Sequence, residues 1–100
     1  MYYIYPMKYH SWNNDKNEKL KEERNISFED VIYYIENEKL HAILKHKNQE
    51  RYPGQKIYVV EINNYVCFVP FVETENEIFL KTIIPSRKAT KKYLEVKDER

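Results

Sequence analysis

Between Ser86 and Leu94 the chain carries Arg87, Lys88, Lys91 and Lys92 with no acid among them, and Tyr93 adds a phenol. Cations handed to solvent just past the end of a strand are one way for a small protein to grip phosphate. Arginine suits that role through a planar fork that a lysine ammonium lacks. Further back, His46, Glu50, Arg51 and Lys56 fall within one polar stretch and the start of the next apolar run. Cleavage of RNA by its own 2′-hydroxyl needs a base for the hydroxyl, positive charge on the phosphate and an acid for the leaving oxygen. It needs no metal. On this reading Arg87 clamps the phosphate, Lys56 and Arg51 support it, and His46 or Glu50 is the base. Lys88, Lys91, Lys92 and Tyr93 hold the nucleic acid. Each has a plainer alternative. Lys56 and Lys91 can be ordinary surface lysines, His46 an idle loop residue, and Glu50–Arg51 a surface ion pair worth little. The basic run as a whole can be the solvated face of a C-terminal helix.

Other chemistries find less support. His10, His41 and His46 lie at no recognised ligand spacing and Cys67 is the one cysteine, so neither a structural zinc nor another metal site is expected. A single glycine rules out a glycine-rich phosphate loop. No cofactor is implied. Cys67 sits within an apolar run and reads as an inert buried thiol. With one cysteine no internal disulfide is possible, which fits a reducing compartment. No apolar run approaches the roughly 20 residues of a membrane helix, and the opening MYYIYPMKYH lacks the basic-then-apolar order of a signal peptide. A cytoplasmic protein without membrane contact is therefore expected. The net charge is only +1, so nucleic-acid affinity has to come from local asymmetry. That asymmetry exists: acids and bases are mixed over 14–38, whereas 85–94 holds only cations.

The elements that must position these residues fit one domain over 1–100, long enough to bury a core. Tyr2–Tyr5 and Lys8–Ser11 can form an N-terminal strand interrupted at Pro6. Asn13, Asn14 and Asp15 are capping types ahead of a polar helix to about Arg24, whose one large apolar residue is Leu20. Asn25 suits its stop. Ser27 and Asp30 form a capping box. Phe28, Val31, Ile32 and Ile35 then share one face of a second helix to about Asn37. Leu40–Lys45 reads as a strand or a helical extension, and Pro53-Gly54 marks a turn. Ile57–Ile62, Tyr65–Val72 and Ile78–Ile84 form an antiparallel meander. Asn63-Asn64 as a two-residue loop pairs Ile62 with Tyr65, Val60 with Cys67 and Tyr58 with Val69. Tyr65–Val72 is apolar on both faces, and Pro70 within it predicts a bulge or an edge. The fold class is α+β, with the helices packed on one face of the sheet.

Three segments together resemble the BrnT-type ribonuclease toxins of bacterial type II toxin–antitoxin systems. Trp12, Lys16-Asn17 and Ile26-Ser27-Phe28-Glu29 are similar to the N-terminal pattern of that family. Glu50–Val60 is similar to its polar turn and basic entry to the meander. Ile84 followed by Arg87-Lys88-Ala89-Thr90 resembles its closing run. The chain departs from the pattern at Glu23-Arg24-Asn25, where the family has Lys-His-Gly, and at Pro85 and Tyr93, where it has serine and glutamate. The resemblance implies a RelE-like fold of order β-α-α-β-β-β, often with a short C-terminal helical segment. It also implies an endoribonuclease that arrests translation. A cognate antitoxin with a ribbon-helix-helix part is implied as partner, and operator DNA is reached only through that antitoxin. The alternative is a catalytically inactive relative that binds RNA or a partner. A solitary regulator touching operator DNA with Arg87–Lys92 has no recognition-helix pattern behind it.

Overall fold

The computed structural model describes residues 8–95. Its order is β1 (Tyr9–Trp12), α1 (Asn14–Arg24), α2 (Phe28–Glu36), β2 (Leu40–Lys45), β3 (Gln55–Ile62), β4 (Tyr65–Glu73), β5 (Glu77–Leu80), β6 (Ile84–Pro85), α3 (Arg87–Thr90) and a π-helical turn over Lys91–Glu95. The protein is mixed α+β. Six strands form one sheet in the order β1-β5-β4-β3-β2, with β6 on β4. The suggested strand at Tyr2–Tyr5 lies outside the described residues.

Local chemistry accounts for the element ends. Asn13 caps α1 by accepting from Lys16 N at 2.9 Å, and Asn25 stops it in the left-handed region at φ 57°. Ser27 and Asp30 close the capping box of α2 in both directions. A buried amide joins the two helices: Asn17 donates to Glu29 Oε1 and accepts from the Phe28 N–H, both at 2.8 Å. Phe28, Val31 and Leu20 press onto Tyr58, Val60, Ile62, Cys67, Val69, Phe71, Ile78 and Leu80, the larger core.

The β3–β4 hairpin turns on Asn63 and Asn64, both at positive φ, and the register is Ile62↔Tyr65, Val60↔Cys67, Tyr58↔Val69. Gly54 enters β3 at φ 76°, where a Cβ would stand 2.8 Å from the Glu73 carbonyl oxygen; only glycine fits without a shift.

β1 pairs in parallel with β5, a pairing the sequence left open. One expectation changes: the third meander strand is not continuous over Ile78–Ile84. β5 ends at Leu80 opposite Phe71, and β6 resumes at Ile84 opposite Phe68. Pro70 explains the break. Hydrogen-bonded pairs alternate from Ile62↔Tyr65, so the Pro70 nitrogen faces away from β3 toward the interruption. No ladder partner is missed there, while its carbonyl accepts from Lys81 N at 2.8 Å. The two longer helices share one face as expected, and the C-terminal helical segment takes the other. α1 and α2 cover one side, but Ala89, Tyr93 and Leu94 pack on Val59, Val66 and Phe68 on the other. The apolar character of β4 on both faces follows from this. Among the described residues no helix is long and apolar enough to cross a membrane.

Candidate functional site

The basic run is held rigidly. Ser86 caps α3 by accepting from Ala89 N at 3.0 Å, and its own N–H donates to Val66 O at 2.9 Å. The Thr90 hydroxyl accepts from Val66 N at 2.9 Å and donates to Ser86 O at 2.7 Å. Ala89 and Thr90 are buried, whereas Arg87, Lys88, Lys91 and Lys92 are exposed. The Arg-Lys-Ala-Thr run therefore divides its labour: the last two residues dock the helix and the first two face solvent. The π-helical turn that follows sets both Tyr93 and Leu94 against the sheet. Beside it, Leu44, Phe68, Ser86, Lys88, Ala89, Lys92 and Tyr93 line a groove of about 240 Å³. That is smaller than the roughly 300–1,000 Å³ usual for a small-molecule site. Lys92 Nζ lies 5.4 Å from the centre of the Tyr93 ring.

Lys56, Arg51, His46 and Glu50 gather elsewhere. Ser86 anchors α3 beside Val66, while Lys56 pairs with Phe71, five residues farther along β4. At ~3.4 Å per residue this is about 17 Å. Side-chain alternation puts Lys56 on the face of Tyr58 and Val60, opposite α3. The His46 ring packs on Tyr52 with centroids 4.2 Å apart, and its Nδ1 accepts from Asn48 N at 3.0 Å. Arg51 stands over Tyr52 at 5.6 Å, and Glu50 is exposed in the same loop. Lys56 thus lies on the face opposite α3, and His46, Glu50 and Arg51 sit together in the loop between β2 and β3.

Lys56 belongs to a polar group that sequence reasoning did not assemble. Glu73 receives Lys56 at 2.7 Å and Lys8 at 2.5 Å, and the two ammonium donors hold its carboxyl below the ordinary carboxylate range. On the same face His10 Nε2 meets the Tyr58 hydroxyl at 3.1 Å, with Tyr58 stacked on Phe71. Burial lowers the pKa of His10. The alternation Lys8, His10, Trp12 hinted that these side chains share a face, but the partners lie 48 and 65 residues away. A third pair, His41 with Glu61 on the α3 face, was also missed. Burial raises the Cys67 pKa to about 11, leaving a protonated thiol at neutral pH. Among the described residues no three His, Cys, Asp or Glu side chains are grouped to hold a metal ion.

Neither a family model, nor a curated protein, nor a solved structure matches the chain.

Proposed function

We propose that this chain is an RNA-directed toxin of the toxin–antitoxin kind, a metal-independent endoribonuclease that grips the RNA backbone through α3. The observation that carries the reading is the acid-free cation set Arg87, Lys88, Lys91 and Lys92, exposed on α3 and the turn that follows it, a segment fixed by two hydrogen bonds to Val66. Preorganised cations cost little rearrangement when a phosphate arrives, and they are most effective where charge develops in the transition state. Arg87 is the phosphate clamp in this reading, with Lys88, Lys91, Lys92 and Tyr93 along the strand of RNA. A cognate antitoxin with a ribbon-helix-helix part, and through it operator DNA, completes the assembly. The cytoplasm is its place of action.

A second reading, an RNA- or partner-binding module that does not cut, is favoured by one observation: Lys56 lies on the face of the sheet opposite α3, and His46 and Glu50 sit in the β2–β3 loop, outside the lining of the α3 groove. A base must come within hydrogen-bond reach of the proton it takes.

Induced expression of the wild type and Arg87→Ala, with total RNA analysed, separates the two. Growth arrest with RNA fragments from the wild type only supports the ribonuclease, and purified Arg87→Ala is then expected to lose about 10²–10³ in kcat. Intact RNA at matched soluble levels, with RNA still bound by the wild type, selects the second reading. A melting point for Arg87→Ala far below wild type would remove Arg87 from the site altogether.

A further inference from the structure

The ribonuclease reading leaves the proton transfer without a residue near α3. One pair on that face fits. His41 Nε2 lies 3.0 Å from Glu61 Oε1, and the His41 ring stands 5.7 Å from that of Tyr93, which also walls the groove with Lys88 and Lys92. Glu61 is the mostly buried partner, its side chain 14% exposed against 29% for His41. Lys39 Nζ approaches the other carboxylate oxygen at 3.8 Å. Glu61 and Val66 are cross-strand partners, so the pair lies level with the point where α3 is anchored to β4. Glu61 and Tyr93 face the imidazole directly, with Lys39 on the far oxygen of Glu61 and Lys92 beside the Tyr93 ring.

The chemistry follows from which nitrogen is engaged. A carboxylate on Nε2 keeps the proton there and leaves Nδ1 as the accepting nitrogen, the arrangement by which a base is oriented by a third group. We infer that His41 is the general base of this site and Glu61 its positioning residue, acting on single-stranded RNA whose phosphates lie along Lys88 and Lys92. This rests on the ribonuclease reading. In the step, His41 Nδ1 takes the proton of a ribose 2′-hydroxyl. The 2′-oxygen bonds to the adjacent phosphorus, and the bond from phosphorus to the 5′-oxygen breaks. The departing 5′-oxygen takes a proton from water, and the hydroxide left behind recovers the proton from His41. The products are a 2′,3′-cyclic phosphate and a 5′-hydroxyl end.

The experiment is cleavage of a fluorescent single-stranded RNA by purified wild type, His41→Asn, His41→Ala and Glu61→Gln. Binding of the same strand carrying 2′-deoxy sugars, which cannot be cut by this route, is measured alongside. His41→Asn is expected to lose about 10²–10⁴ in kcat, the span of general base catalysis, while binding the deoxy strand as the wild type does. Added imidazole should restore part of the rate of His41→Ala, and Glu61→Gln should lower kcat with KM unchanged. Wild-type cleavage matched by His41→Asn would overturn the dyad and leave the ribonuclease reading standing. Loss of kcat without any imidazole rescue, accompanied by loss of deoxy-strand binding, would also overturn it by making His41 structural. A wild type that cuts no RNA would overturn the ribonuclease reading itself, and the dyad with it.

Discussion

Glu73 shows how little a single charged residue says until its neighbours are known. In sequence it is one acid in an acidic turn; in the fold it lies between Lys8, just ahead of β1, and Lys56 on β3. A carboxylate held below its ordinary range stabilises the fold above its unfolded pKa, and that contribution disappears as the pH falls through its native one. Glu73→Gln should therefore melt lower than wild type at pH 7. Partly exposed pairs contribute up to about 1 kcal/mol each, and each such unit lowers Tm by about 4–8 °C in a domain of this size. The gap should begin to narrow as the pH falls through the ordinary glutamate value of about 4.3 and close only below the depressed native one; circular-dichroism melts from pH 7 down into the acid range test it. His10 tells the same story of distance. Its place with Lys8 on an N-terminal strand was legible, its Tyr58 partner was not, because a residue on β1 meets one on β3 only after the sheet has formed. The cation run was the opposite case, visible in composition alone because four like charges without an acid need no partner to be noticed.

At the scale of elements, what could be read was what is decided within a few residues. The asparagine cap and stop of α1, the Ser27–Asp30 box and the Asn63-Asn64 turn are local hydrogen-bonding and backbone preferences, and each appears where its residues predict. The side of the sheet that α3 takes is not local. It depends on Thr90 reaching the Val66 N–H and on Ala89 being small enough to sit over Val59 and Val66. Thr90→Val keeps the shape of the side chain but leaves that buried N–H without an acceptor, a cost of about 1–3 kcal/mol. Its urea midpoint should fall accordingly, whereas Thr90→Ser should retain the hydrogen bond and lose less. The same variant tests whether α3 must be fixed to hold RNA, since loosening the helix should weaken RNA binding without removing a charge. Pro70 marks the limit of local reading in another way. Its presence announced an irregularity, and only the register of β4 against β5 and β6 shows that the irregularity is a break in the neighbour.

For the whole molecule, the sheet separates two groups of basic residues, Arg87 and its neighbours on one face and Lys8 and Lys56 at the far end of the other. If RNA contacts only the α3 face, Lys56→Met should leave affinity unchanged. If it wraps the edge, Arg87→Ala and Lys56→Met should each weaken binding, with free energies that add to within about 0.3–0.5 kcal/mol, as for independent sites at this distance. Fluorescence anisotropy on the two single variants and the double variant decides between these geometries. The parallel pairing of β1 with β5 has a consequence of a different kind, in time. Loop closure over the 68 residues separating Tyr9 from its partner Glu77 has to precede any gain from that pairing. The β3–β4 hairpin joins residues close in sequence and can pair once both strands have emerged, but β1 waits for β5. The edge of the sheet that carries Lys8 and His10 is thus completed late in synthesis, after the strands it will join.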